Sequence, residues 1–196
     1  VFLLVLINAC SYDRTDDPIS LVDNFDRGSM LTNLSDNIII PSYEDFATNM
    51  TLMKSAGQTF TANPTQNTLT QFRSSWLNAY KSWQRIEMFN IGKAEELQYS
   101  YYMNVYPLTV EDVQNNIVNG GYDLNSVNNQ DAQGFPALDY LLYGVGANDT
   151  EILEKYTTNS NATGFRTYLT DVINQMDGLT QQLVNDWTGS YRDTFV

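Results

Sequence analysis

The sequence predicts an all-α fold, an up-down helical bundle, on three observations. Long apolar seams recur at helical spacing over 37–60, 65–91 and 161–188. The breaks after them carry Asn63-Pro64, Gly92 and Gly189. Period-2 alternation, the mark of a half-buried strand, appears nowhere at length. The chain has 196 residues and is 42% hydrophobic, enough for one domain with a real core and too apolar for disorder.

The first element is not part of that bundle. Val1 to Ala9 reads V-F-L-L-V-L-I-N-A, shorter than the roughly 20 residues that cross a bilayer. It looks like the apolar region of a secretory signal. Ile7-Asn8-Ala9-Cys10 resembles a bacterial lipobox, whose cysteine is acylated and becomes the new N-terminus. The alternative is a buried N-terminal strand with a free thiol. An acylated Cys10 would anchor the protein to a lipid bilayer of the bacterial cell envelope, on either side of an outer membrane. It would also account for a lone cysteine in an oxidising compartment. Residues 10–35 open with an acidic, aperiodic run and read as a tether; 36–190 is the expected folded unit.

Within that unit, Ile39, Tyr43, Phe46, Met50, Met53, Gly57 and Phe60 are spaced 4, 3, 4, 3, 4, 3, one helix face, with Pro41 in the first turn. Leu69, Phe72, Trp76, Ala79, Tyr80, Trp83 and Ile86 repeat the pattern, and Gly92 is expected as the residue that stops it. Trp76 and Trp83 read as core. Ala94 to Tyr102 predicts a short helix ending before Tyr106-Pro107. Thr109-Val110-Glu111-Asp112 is a start signal with Thr109 as the cap, stopped by Gly120-Gly121. Gly120 to Gln133, rich in Asn, predicts a surface loop, with one further turn around Leu124 and Val127. Gly134 to Gly144 predicts a compact helical segment with Pro136 at its start and Gly144 at its end. Asn148 to Tyr156 predicts a short helix. Phe165, Leu169, Val172, Met176, Leu179, Leu183 and Trp187 form the last seam.

Composition excludes several chemistries. Ten Lys and Arg against 23 Asp and Glu give a net charge of −13, with no basic face to displace counterions from nucleic acid. There is no histidine, which removes the Ser-His-Asp triad, the Cys-His pair and any imidazole metal ligand. With one cysteine no internal disulfide forms. A metal site within the chain would have to be built from oxygen. Such sites suit iron in its ferric form or another hard cation, and no zinc is expected.

Two segments carry a family resemblance: L-T-Q-F-R-S-S-W-L-N-A-Y-K-S-W-Q-R-I-E-M-F-N-I-G at 69–92 and G-F-P-A-L-D-Y-L-L-Y-G at 134–144. With the lipobox, the early I-I-I-P-S-Y and the last long seam ending at Trp187, they resemble the imelysin-like proteins, peptidase family M75. The resemblance covers about 36–190. It implies an all-helical bacterial envelope protein built from two four-helix bundles and associated with iron uptake, with partners in that process. Family members run to about twice this length, so the chain resembles the first four-helix bundle, with 191–196 opening a second half.

The family pattern is G-x-H-x-x-E. Here Gly134 matches, Pro136 stands in the histidine position and Asp139 in that of the glutamate. Proline neither binds a metal nor moves a proton, so a His-dependent peptidase mechanism has no support, although a hydrolase with a degenerate motif and a purely structural surface module stay open as alternatives. Trp83 and Glu87 are i, i+4 on one helix face, and the resemblance places a carboxylate near Glu87 beside the motif. Glu87 and Asp139, with Trp83, are therefore the candidate ligand-binding residues: a carboxylate pair that holds a hard cation or shares one proton. The plainer alternative leaves Asp139 in a helix first turn and Glu87 paired with a Lys or Arg. The tyrosines Tyr99, Tyr101, Tyr102 and Tyr106 are a further cluster, as ferric ligands or as packing.

Overall fold

The computed structural model describes residues 23–196. Residues 1–22, with the apolar run, Cys10 and most of the tether, lie outside the described residues. The described residues form helices and contain no strand.

The first seam folds as one rod. Helix α1 (Arg27–Leu34) runs through a π-helical turn (Ser35–Ile39) into α2 (Ile40–Ala62). The wider turn sits where Pro41 offers no N–H: the Ile40 amide reaches back five residues to the Ser35 carbonyl, and the rod continues past the proline without a break. All seven seam residues of 39–60 are buried. The helix starts at Arg27, inside the stretch expected to be a tether. No residue of α1 is buried, so it shows no apolar seam; its one sequence signal is Asp26, whose carboxylate accepts the Ser29 amide at 2.9 Å.

Asn63-Pro64 turns the chain into α3 (Gln66–Ile86), which begins with a reciprocal cap between Thr65 and Thr68. It packs antiparallel along α2. It ends at Ile86, five residues before the expected stop at 91. Gly92 does have positive φ, +59°, but begins the next helix, and a Cβ there would sit 2.4 Å from the Tyr191 ring. The expected helix 94–102 is two short pieces, α4 (Lys93–Glu96) and α5 (Tyr99–Met103), parted by Gln98 in the left-handed region. Helix α6 (Val110–Asn119) starts at Thr109 as expected. The Thr109 hydroxyl, though, donates to Asp131 at 2.6 Å instead of capping the helix. The expected loop 120–133 carries a 3₁₀ turn (Val127–Ala132), which places the buried Gln133 under it; Leu124 is buried, while Val127 is exposed.

Helices α7 (Gly134–Asp139) and α8 (Asp149–Thr157) follow, the first extended by a π-helical turn (Tyr140–Gly144). Helix α9 (Ala162–Asp186) is the third long member and packs along α2 and against α6, α7 and α8. A π-helical turn (Trp187–Tyr191) and α10 (Arg192–Phe195) continue it. Along this continuation Tyr191 and Phe195 meet the Trp187 ring edge-on at 4.9 and 5.3 Å. Arg192 grips Asp36 with two hydrogen bonds of 2.6 and 2.7 Å, tying this end to the π-helical turn before α2. Between α2 and α9, Lys54 meets the buried Asp177 at 2.7 Å. Among the described residues no helix is long and apolar enough to cross a membrane.

Candidate functional site

The motif segment lines a cleft. Gly134 has φ +75°, and a Cβ there would lie 2.4 Å from the Met103 carbonyl oxygen, so only glycine lets the start of α7 press against the end of α5. From that anchor the segment splits into two faces. Phe135, Leu138, Leu141 and Leu142 are buried in the core. Pro136, Asp139, Tyr140 and Tyr143 recur at i, i+3, i+4 and i+7 and form one wall of a cleft of about 540 Å³. Trp76 and Tyr80 of α3 form the other wall, and Asn104, Tyr106 and Leu108, between α5 and α6, form the rim.

The walls are aromatic and ordered by one another. Trp76 and Tyr80, one turn apart on α3, stack with centroids 5.5 Å apart and planes 8° from parallel. Tyr143 meets Trp76 edge-on at 6.0 Å, and Phe135 meets Tyr80 edge-on at 5.2 Å. The Trp76 indole N–H donates to the Phe135 carbonyl at 3.4 Å. Arg73 braces the far side. Its Nε and Nη2 donate to the Leu142 carbonyl at 3.1 and 2.7 Å, and its Nη1 pairs with Asp149 at 2.8 Å. Its guanidinium also stands 4.4 Å from the centre of the Tyr143 ring. Gln114 donates to the Tyr140 phenol oxygen at 2.7 Å.

Asp139 is the one carboxylate among the lining residues. Its side chain opens toward solvent, yet the aromatic walls strip enough water from the carboxylate that burial pushes its pKa above the ordinary aspartate value. The Tyr143 phenol is also pushed up, by burial first and by the Asp139 charge as well, against the opposing pull of Arg73.

The other two candidate residues are elsewhere. Glu87 is exposed and follows the last residue of α3. It lies seven residues beyond Tyr80, roughly 10 Å further along the helix direction, and does not line the cleft. The expected Glu87–Asp139 pair is therefore not assembled. Among the described residues there is no group of three or more His, Cys, Asp or Glu that could hold a metal ion. Side chains of this chain alone thus do not fit a resident metal centre at the motif. Trp83 is 2% exposed, too deep for a ligand to touch; it packs against Phe46, Tyr99 and Phe135 and supports the cleft from below. The tyrosine cluster is dispersed as well: Tyr99 is buried against the Thr180 hydroxyl at 2.6 Å, Tyr101 is exposed, and Tyr106 alone of the four lines the cleft. The apolar seam places Trp76 and Tyr80 together on the buried face of α3, and the motif singles out neither Tyr140 nor Tyr143 as a candidate. The repeat at 136, 139, 140 and 143 was the signal that marks a second, partly polar face on that segment.

The Imelysin family model, peptidase M75, matches residues 39–196. The chain belongs to this family. Two solved structures are similar to it. One, described as an iron-regulated protein A precursor from Parabacteroides distasonis, is 24% identical with a TM-score of 0.67; the match covers 81% of this chain and 44% of that one. The other, an imelysin-like protein from Psychrobacter arcticum, is 19% identical with a TM-score of 0.51, covering 85% of this chain and 55% of that one. The chain thus spans about half the length of these imelysin relatives, and the likeness is one of fold. No curated protein matches the sequence. In this chain Gly134 anchors the segment, and Pro136 and Asp139 belong to the cleft wall.

Proposed function

We propose that this chain is the ligand-binding helical module of a lipid-anchored envelope protein, serving the uptake of iron or another ligand rather than hydrolysis. The observation that carries the reading is the motif segment itself. It presents a preformed aromatic cleft of small-molecule size with a single carboxylate, and Pro136 supplies neither a metal ligand nor a proton donor. General acid–base hydrolysis needs groups within hydrogen-bond reach of the substrate atoms they protonate or deprotonate, and Glu87, the expected second carboxylate, does not line the cleft. The anchoring part rests on Ile7-Asn8-Ala9-Cys10, and the iron link on family membership and on the description of the Parabacteroides protein. Iron in this reading is cargo, with most of its coordination supplied from outside the chain.

Two measurements test it. Cys10→Ser should move the protein from the detergent phase to the soluble fraction; equal partition of wild type and variant would remove the anchor from the proposal. A casein digestion with and without chelator should show no cleavage. Chelator-sensitive cleavage that Asp139→Asn abolishes would replace the binding reading with the peptidase one.

A further inference from the structure

We propose that the cleft between α3 and the Gly134–Gly144 segment binds a small organic cation, an ammonium head on an apolar stem. The inference rests on reading the cleft as a binding site and adds the chemical class of what it takes. Three features converge on that class. The aromatic walls, Trp76, Tyr80 and Tyr143, are only partly covered, and Tyr106 on the rim is exposed; such rings attract a cation through their quadrupole. Asp139 adds a carboxylate at the same opening, and among the described residues it has no hydrogen bond or ion pair within the protein. Arg73, which stands 4.4 Å from the centre of the Tyr143 ring, has its charge balanced by Asp149 and its other N–H groups used on the Leu142 carbonyl, so it does not serve Asp139.

The volume, about 540 Å³, lies within the range of small-molecule sites, roughly 300–1,000 Å³. The net charge of −13 raises the local concentration of cations of every kind; the aromatic walls select those that carry alkyl groups, which are weakly hydrated. A sugar would also stack on Trp76. It carries no charge for Asp139 to attract, and the oligosaccharide arm of the test separates the two.

The test is isothermal titration of the full chain with choline, with its neutral isostere 3,3-dimethylbutan-1-ol, and with a neutral glucose oligosaccharide. The expected result is saturable choline binding, at least about tenfold tighter than the isostere. Asp139→Asn, which preserves shape, should weaken choline by roughly tenfold and leave the isostere unchanged. Tyr143→Leu, at a position 45% exposed, should weaken choline roughly three- to tenfold, with a melt recorded beside it to show the fold is intact. Equal binding of choline and isostere would make the cleft merely apolar and overturn the proposal. So would oligosaccharide binding without choline binding, choline binding that survives Asp139→Asn, or self-association of the chain that excludes choline. None of these readouts depends on acylation of Cys10, on iron or on casein cleavage, so this proposal and the uptake reading fail separately.

Discussion

Gly134→Ala should be among the most damaging single-methyl additions in the protein, and the structure separates its two costs. Gly134 has φ +75°, where an alanine pays the usual left-handed penalty of about 1–2 kcal/mol. The new Cβ would also stand 2.4 Å from the Met103 carbonyl oxygen and 2.9 Å from that of Tyr102, both backbone atoms that cannot rotate away. Relieving that overlap means separating α7 from the end of α5 and loosening Phe135, which is fully packed against Phe46, Tyr80 and Trp83. Overpacking of this kind adds about 1–3 kcal/mol, for a total of about 2–5. Gly120→Ala is the matched control: its φ is +62°, and nothing lies within 4 Å of the added Cβ. In a domain of this size 1 kcal/mol moves the melting temperature by about 2–4 °C. Gly120→Ala should therefore melt a few degrees below wild type, and Gly134→Ala roughly 5–15 °C below it, by circular dichroism at matched concentration. If the two variants melt together, the close approach of α7 to α5 is wrong, and with it the reason given for glycine at this motif position.

Other perturbations read different parts of the structure. Lys54→Met leaves Asp177 buried without its cation and should cost about 1–3 kcal/mol in urea unfolding; the double replacement with Asp177→Leu should recover much of it, and a double variant as weak as the single would refute the pairing. Asp139 has a folded-state pKa raised by burial, so the native state binds its proton at higher pH than the unfolded chain does. The charged carboxylate thus weakens the fold above that raised value, and stability is regained as pH falls through it toward the ordinary aspartate range. Asp139→Asn should raise the melting temperature at neutral pH and remove that part of the pH dependence, and a variant less stable than wild type at neutral pH would count against a desolvated carboxylate. Tyr99→Phe removes a buried hydrogen bond to Thr180 and leaves that hydroxyl its bond to the Met176 carbonyl, so the loss should be about 0.5–1.5 kcal/mol in the same urea assay.

Burial follows the sequence pattern most closely along the long helices, with Trp76, Tyr80 and Leu179 the seam residues left half-buried. The 39–60 seam is buried at every position, and Trp187 closes the last seam at the bottom of an aromatic group. The pattern misleads at ends. α1 is helical yet exposed, so no apolar period announces it; a local cap at Asp26 and the Arg192–Asp36 clamp hold it instead. At 87–92 the error runs the other way. Phe89 and Ile91 still pack against the core, so apolar residues continue past Ile86 although the helix does not, and the stop was placed five residues late at Gly92.

That misplaced end is what displaced the site. Trp83 and Glu87 share a face by helical spacing, but Glu87 is already the residue that follows the helix, and the face in question points into the core, where Trp83 lies sealed under Phe135. One turn earlier, α3 turns Trp76 and Tyr80 toward the motif segment, and these are the side chains that Asp139 faces across the cleft. In a seam of aromatic residues the 3.6-residue period cannot say which rings are core and which are wall, because both lie within one stripe about 100° wide. The difference is set by what packs opposite, here a segment of α7 whose own approach is fixed by a glycine. The motif was legible as a place in the chain from the resemblance of 134–144, with Gly134 its one matching motif residue. Its partner surface depended on the docking of α7 against α3 and α5, a contact between residues about 60 positions apart, which no local periodicity encodes.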